Sequence, residues 1–487
     1  MPTAADLQPL SIDLALLGAT LLLLAIDLGL PHGRKRWLGS LTALMLGGLF
    51  VLTFFVDSSG SAFGGTYVGG AWPLIFKRIA LAAGALGALG AVDHVDRHFP
   101  ARQGEFYLLM LFSLLGMTLL PGARDLLLFV VAFELMGIPL AMLASYAKTE
   151  DPTGVHRHAA EAGLKLYLVS AVSTAITLFG LSYVYGLTGS TRLEVIAEAP
   201  LSPLLGLGML MTLSGMAFKV GAVPFHMWVP DTYQGAPTPF VAFLSVAPKA
   251  TGFAALTALL LVAFRNNREQ VLSIVLLLSL ASITVGNLLA LPQKDVKRLL
   301  AYSGIAQVGY MLIGLVAGGA YGSGMLLFFV AGYVATNMGA FFVLEAIAPR
   351  RTGITLDDVR GLSRRSPWLA AALLLFLLSL AGIPFVVGFW AKLLVFMAAY
   401  QAGSGWLVLF GALMAIVSLW YYLQIARAAY MGETSAGVEA EPVDVTPTLA
   451  LAIGLCLALV VGMGAWPRPF IEHASAAATS LLGEATR

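Results

Sequence analysis

The sequence predicts an all-α, polytopic membrane protein of about fourteen transmembrane helices. Three observations carry this. Apolar residues make up 59% of the 487 and charged residues only 11%, under half of the roughly 25% usual in globular chains. Stretches of about 20 apolar residues, enough to cross a bilayer as helix, recur from end to end. Proline and glycine break these stretches at few places, and ionisable residues gather there. The same totals leave no room for a soluble domain of ordinary size and show no basic stripe for nucleic acid. Cys456 stands alone in an apolar run, so the chain can form neither a disulfide nor a cysteine metal site. A cleaved leader is not expected. The first apolar stretch starts near Leu10 behind acidic rather than basic residues and lacks a small-x-small site.

The spans fall near 10–30, 37–56, 72–92, 105–121, 125–147, 159–186, 202–224, 238–264, 270–291, 296–318, 321–347, 367–400, 404–430 and 446–466. The stretch 367–400 is too long for one straight crossing and carries Gly382 and Pro384 near its middle, so it reads as one broken helix. The seventh span meets Pro224, and Pro230, Gly235, Pro237 and Pro239 follow, with Asp231 among them. Proline removes a backbone donor and clashes with the preceding turn, so a helix ends here, a short polar loop follows, and the next helix starts near Thr238.

Basic residues set the orientation. With the N-terminus outside, the inner loops hold Arg34, Lys35, Arg36, Arg97, Arg102, Lys148, Arg157, Lys294, Lys297, Arg298, Arg350, Arg351, Arg360, Arg364, Arg365 and Arg427. The outer loops and helix ends hold Lys77, Arg78, Arg124, Arg192, Arg265, Arg268, Arg468 and Arg487. This bias is the one the positive-inside rule demands, and an even number of spans returns the C-terminus outside.

Four of the 28 basic residues remain, and all are lysines within apolar sequence: Lys165, Lys219, Lys249 and Lys392. Such a residue is costly in a membrane and marks a functional site by default. A desolvated lysine can release its proton, which arginine cannot do at accessible pH. Glu134 lies mid-span in FVVAFELMGIPLAML and is the natural counter-charge for one of them. Lys165 stands four residues after Glu161, so an interfacial ion pair competes with a relay role there. His226 sits just past the break; its ordinary pKa suits a proton shuttle, and a loop hydrogen bond would explain it equally. His94, His98, His156 and His158 read as loop residues without metal-ligand spacing, and Asp13 and Asp27 as membrane-edge acids. Asn287, Ser303, Gln307, Tyr310, Asn337 and Tyr422 fall within spans, where they could hold water between ionisable groups. AVPFHMW at 222–228 echoes GIPFVVGFW at 382–390, each a Pro-Phe break beside an intramembrane lysine. Interrupted helices in corresponding places point to repeats around a midplane pathway.

The stretch AVPFHMWVPDTYQGAPTPFVAFLSVAPKATGFAAL, with FELMGIPLAMLASY, HAAEAGLKLYLVSAVSTA, DVKRLLAYSGIAQVGYMLIG and LAGIPFVVGFWAKLLVF, resembles the antiporter-like, proton-conducting membrane subunits of respiratory complex I, in particular the subunit N family. The likeness runs from about Phe106 to Tyr430. It implies fourteen helices, with inverted five-helix repeats at spans 4–8 and 9–13 and breaks in helices 7 and 12. The corresponding divisions are 1–104, 105–265, 266–430 and 431–487. It implies that Glu134 pairs with Lys219, that Lys249 is the central relay, and that Lys392 leads to the outer exit, with Lys165 and His226 as further candidates. Ala391 stands where the family leads one to expect glycine, and Val386 and Val387 replace a more polar pair, so local packing at Lys392 is expected to differ.

The expected function is therefore proton translocation in an NADH-quinone oxidoreductase of the bacterial inner membrane, with both termini periplasmic. The resemblance places NADH, FMN, iron–sulfur clusters and quinone in partner subunits; this chain is expected to hold no cofactor and no metal. Its expected partners are the neighbouring antiporter-like subunit, small membrane subunits and lipid. The alternative is an Mrp-type Na⁺(K⁺)/H⁺ antiporter subunit using the same lysines. A scaffold that only braces its neighbours is a third reading, and buried lysines argue against it because a spacer gains nothing from their desolvation.

Overall fold

The computed structural model describes residues 7–31, 35–147, 156–347, 353–432 and 442–485. Arg34, Lys148, Arg350, Arg351 and Arg487, used above for orientation, lie outside them, as do the side chains of His156 and Arg157. Among the described residues twelve helices are long and apolar enough to cross a membrane. The shorter apolar helices Leu38–Leu52, Pro367–Ala381 and Val387–Gln401 fill the places of the second span and the broken twelfth.

In chain order, α1 (Ser11–Gly29) and α2 (Leu38–Leu52) lead to a hairpin, β1 (Gly60–Ala62) paired antiparallel with β2 (Tyr67–Gly69). Then come α3 (Ala71–His98), α4 (Gln103–Leu119), α5 (Leu126–Ala144) and α6 (His156–Thr188). The first broken span is α7 (Pro203–Val220) and α8 (Trp228–Gly235), followed by α9 (Thr238–Leu244) and α10 (Ala247–Ala258). After α11 (Arg268–Ala290), α12 (Val296–Ala317) and α13 (Gly319–Ile347) come the halves of the second broken span, α14 (Pro367–Ala381) and α15 (Val387–Gln401). The chain closes with α16 (Gly405–Met431), α17 (Pro447–Ala465) and α18 (Arg468–Ala485).

Local chemistry sets the ends. Asp125 caps α5 by accepting from Leu127 N (2.8 Å), Ser202 caps α7 from Leu205 N (3.1 Å), and Asp295 caps α12 from Arg298 N (2.8 Å), each satisfying a donor the helix cannot. Pro203, Pro367 and Pro447 sit in first turns, where the missing N–H costs nothing.

The helices sort by burial. Every residue in the most apolar window of Thr238–Ala263 is buried, and 94% in α12 and α13, against 28% in α6 and α16. So α9–α10, α12 and α13 form the centre, and the spans that carry most of the intramembrane polar residues meet there. Apolar residues such as Leu164, Val172, Leu409, Leu413 and Ile416 are exposed on the periphery, as lipid contact requires.

The structure departs from expectation in five places. The loop after Pro224 contains a helix, α8, because Pro230 falls in its first turn and breaks nothing. The predicted helix 238–264 is bent at Ser245–Val246, since Pro248 has no N–H to return to the carbonyl four residues back. Helix α3 continues to His98, the first breaker being Pro100, so His94 and His98 are helical, and α6 likewise takes in His156 and His158. The tail forms a helix that folds back on its own chain: Ala474, Ala477, Ala478 and Leu481, spaced i, i+3, i+4, i+7, are buried where α18 lies on α13. Finally, Asp13 and Asp27 are not free edge acids but buried partners: Asp13 meets the buried Lys77 Nζ at 2.5 Å and Asp27 meets Lys35 at 2.7 Å, so α1 is fastened at both ends.

Candidate functional site: a chain of buried amines

Both broken spans are made the same way. Helix α7 ends on Gly221 at φ +78° and α14 on Gly382 at φ +88°, left-handed conformations that glycine adopts at no steric cost. The amides of the next residues close the turn: Ala222 N donates to Ala217 O (2.8 Å), and Ile383 N to Leu378 O (3.0 Å). Pro224 and Pro384 follow, so neither helix can resume at once. The sequence echo is thus an echo of structure.

Each break carries an amine. At the second, Lys392 Nζ donates to Leu380 O (2.8 Å) and Ala381 O (3.0 Å), the exposed carbonyl end of α14, and lies 4.9 Å from the centre of the Tyr310 ring. A cation is favoured there by the helix dipole as well as by hydrogen bonding. Ala391 is buried beside it, and the valines at 386 and 387 leave the amine in place. A Cβ on Gly382 would lie 2.9 Å from Lys392 Cδ. Gly382→Ala is therefore expected to cost about 1–2 kcal/mol from the left-handed backbone alone and to push Lys392 off its carbonyls. Thermal unfolding of the variant in detergent checks the first effect and proton translocation the second.

At the first break two lysines flank the end of α7. Lys219, in its last turn, is buried and turns to α5, its Nζ 4.2 Å from the Phe133 ring centre. Glu134 lies on the same turn of α5, half-buried, and takes a hydrogen bond from Thr174 Oγ1 of α6 (2.6 Å). The Glu134–Lys219 pairing is therefore a neighbourhood rather than a contact: among the described residues Lys219 makes no ion pair within 4.0 Å, because Thr174 holds the carboxylate and an aromatic face holds the amine.

Lys249, on α10 just past the bend, is 1% exposed and its Nζ has no hydrogen-bond partner. Gly304 of α12 makes room for it: a Cβ there would stand 3.0 Å from Nζ. Tyr233 and Tyr333 bring their rings to 5.7 and 5.8 Å, and both hydroxyls are buried and also unpartnered. Unpaired buried polar atoms cost free energy or hold water. Three around one point make Lys249 the centre of a hydratable cluster.

Beyond the Lys249 cluster a hydrogen-bond chain leads from Ser303 to Lys392. Ser303, next to Gly304, bonds the Tyr422 hydroxyl (2.5 Å); Gln307 Nε2 donates to that hydroxyl (3.1 Å) and to Leu380 O (2.8 Å), the carbonyl Lys392 also holds. A parallel branch joins Tyr421 to Asn287 (2.9 Å) and Asn287 to Tyr310 (3.1 Å). Asn337 instead donates to Ser245 at the bend (2.7 Å).

Lys165 stands apart. It is 42% exposed and bonds Glu161 (2.6 Å) and Asp231 (2.7 Å), while Asp231 also takes Arg298 (2.5 Å). These groups line a polar cavity of about 200 Å³ with His158, on the face that carries the basic loops. His226 is half-buried with its Nδ1 unpartnered, and among the described residues no ion pair or side-chain hydrogen bond reaches it. Sequence reasoning missed Tyr233 and Tyr333, which look like ordinary aromatics, and Lys297, which counts with the loops but is fully buried because the turn at Ala236 covers it (Nζ to Ala236 O, 2.7 Å).

Comparison with known proteins agrees with this fold. The family described as NADH:quinone oxidoreductase/Mrp antiporter, TM, matches residues 123–418. The chain is 38% identical over 483 residues to a Moorella thermoacetica protein named NADH-quinone oxidoreductase subunit N, covering 98% of this chain and 99% of that one. It is similar to a chain of respiratory complex I from Thermus thermophilus, with TM-score 0.80 and 32% identity over 95% of this chain and 99% of that one. A chain of the Mrp complex from Dietzia sp. DQ12-45-1b shares the fold at TM-score 0.85, with 19% identity over 99% of this chain and 98% of that one. The chain belongs to the NADH:quinone oxidoreductase/Mrp antiporter transmembrane family, alongside its subunit N members.

Proposed function

We infer that this chain is the proton-translocating, antiporter-like membrane subunit of an NADH-quinone oxidoreductase and moves protons through its buried amines. The observation that carries the reading is Lys249, an unpartnered amine at the fully buried centre, set against Gly304 beside Ser303, from which Tyr422 and Gln307 lead to the carbonyl that Lys392 grips. Glu134 sets the charge state of Lys219; Lys219 and Lys249 share the end of α7; Lys249 passes a proton along α12; Lys392 releases it on the opposite face. A change in hydration or pairing of a few kcal/mol moves a lysine pKa by units, at about 1.4 kcal/mol per unit, so a neighbouring subunit can drive the cycle electrostatically. Lys165, clamped by two carboxylates, acts at the mouth rather than in the relay.

In this reading the basic-loop face is cytoplasmic, the termini are periplasmic, and the membrane is the bacterial inner membrane. Residues 105–265 and 266–430 are the two inverted units, each with one helix broken at a left-handed glycine. Redox cofactors belong to partner subunits, as does the quinone site, and this chain holds none. The subunit N relatives favour this reading over a stand-alone Mrp-type antiporter. Purification in mild detergent is expected to bring down a flavin and iron–sulfur arm, and the complex in vesicles is expected to acidify the far side with NADH in Na⁺-free and K⁺-free buffer alike. Transport that needs Na⁺ or K⁺, by protein free of that arm, overturns it.

A further inference from the structure

On the basic-loop face, away from the amines assigned above, α3 and α13 bring an imidazole and a carboxylate together. His94 Nδ1 lies 2.8 Å from Glu345 Oε1. Glu345 is 3% exposed, and its second oxygen, Oε2, is buried without any partner. Beside the pair is a cavity of about 20 Å³, lined also by Asp93, Arg97, His98 and Asp444, which is room for one water. A bare carboxylate oxygen facing a water-sized space below the surface is costly for a structural residue, because either an extra donor or an apolar side chain would remove the cost.

The path inward is also marked. Lys297 of α12 is fully buried, grips the Ala236 carbonyl at 2.7 Å, and lies within the field of two carboxylates, Asp295 first and Glu345 after it. Lys297 and Gly304 are two turns apart on one stripe of α12, roughly 10 Å along the axis, and Gly304 is where Lys249 Nζ sits. Two further orphaned hydroxyls belong to residues near the two ends of that stripe: Thr238, two residues past the Ala236 carbonyl that Lys297 grips, and Tyr233, whose ring lies 5.7 Å from Lys249 Nζ and packs on Phe341, one turn before Glu345. The cavity of about 200 Å³ beside Lys165 lacks these properties: both Asp231 oxygens there are taken, one by Lys165 and one by Arg298.

We propose that His94 and Glu345 form a proton-uptake port on the basic-loop face, which loads Lys249 by way of Lys297. The inference rests on the relay reading of Lys249. Hydronium in the cavity, or His94 as imidazolium, gives its proton to the Glu345 carboxylate and is left as water or neutral imidazole. The resulting acid protonates the neutral Lys297 amine and returns to carboxylate. Lys297 then passes that proton through water at Thr238 and Tyr233 to neutral Lys249. The charges that bear on the pair are Asp93, Arg97 and His98 from α3, Asp444 from the segment before α17, and Lys297 from α12. Asp93 is itself held by Thr448 (2.5 Å), and His98 Nδ1 by His94 O (2.9 Å).

The test uses the assembled complex in vesicles, with Glu345→Gln, Glu345→Asp, His94→Gln and, as reference, Lys249→Ala. Glu345→Gln is expected to lower proton translocation per NADH to the level of Lys249→Ala, and Glu345→Asp to restore part of it. His94→Gln is expected to keep translocation at low pH and lose it on the alkaline side, moving the pH optimum down by about one unit as an acid–base group is lost. Wild-type stoichiometry and pH profile in Glu345→Gln, with Lys249→Ala impaired, overturn the port and leave the relay standing. Full translocation in Lys249→Ala overturns the relay itself. Should Glu345→Gln not assemble, His94→Gln decides alone: an unmoved pH profile rejects the port and a lowered optimum supports it.

Discussion

Replacing Lys249 by alanine is expected to lower proton translocation by the assembled complex at least tenfold along this subunit's path, the scale of ~10²–10⁴ carried by a proton-transfer group. Lys249→Arg is expected to fail as well. A guanidinium keeps the charge and several donors but does not release its proton at accessible pH, so a variant that looks conservative blocks transfer. Stability moves the other way. Lys249 Nζ is buried with no partner, so Lys249→Met removes an unsatisfied polar atom and is expected to stabilise the fold by about 1–3 kcal/mol. Loss of pumping with a raised melting temperature separates a working amine from a structural one. A melting temperature that falls, with pumping retained, rejects the assignment.

Asp13→Leu is expected to be the most destabilising single change in the N-terminal helices, at about 3–5 kcal/mol, because it strands a buried ammonium. Lys77 is 1% exposed and, among the described residues, keeps the Pro9 carbonyl at 3.3 Å and the Tyr67 ring at 5.2 Å once the carboxylate is gone. Removing both charges, as Asp13→Leu with Lys77→Met, is expected to return stability to within about 1 kcal/mol of the parent, since paired desolvation largely cancels the gain from pairing. Unfolding of both single variants and the double variant in one detergent closes the cycle. Additive single effects would show that the pair does not act as a unit. The change should leave proton translocation in the remaining folded complex intact, because Asp13 and Lys77 make no hydrogen bond to the amine chain.

The sequence made the spans legible because membrane helices announce themselves by length and apolarity. The four unassigned lysines followed from counting basic residues against loops, and two of them, Lys249 and Lys392, lie buried at the central bend and at the second break. Lys165 shows the limit of that counting: the sequence offers Glu161 on the same helix, and only the fold shows Asp231 reaching it from α8 as well. Lys297 shows the converse. Its position at a helix start reads as interfacial, and the covering turn at Ala236, 61 residues away in sequence, cannot be read locally. Asp13 with Lys77 and His94 with Glu345 are pairs between distant helices, at separations of 64 and 251 residues, and no periodicity within one span signals them. The breaks at Gly221 and Gly382 were visible because proline acts on its own backbone. The bend at Ser245–Val246 was missed for a related reason: a proline one turn into a new helix is harmless, and only the structure shows that Pro248 opens a helix there rather than lying inside one.

Gly286 and Gly309 let α11 and α12 meet backbone to backbone: a Cβ at Gly286 would strike Ala306 N and Cα, and one at Gly309 would strike Ile283 N and Ser279 O. Ser279 Oγ also donates across that seam to Gly309 O (2.8 Å). Ser303 and Gln307 therefore ride on a rail that cannot slide without prying two helices apart. The arms of Lys249 and Lys392 can swing while that seam holds, so a relay through them would need no sliding of α12 past α11.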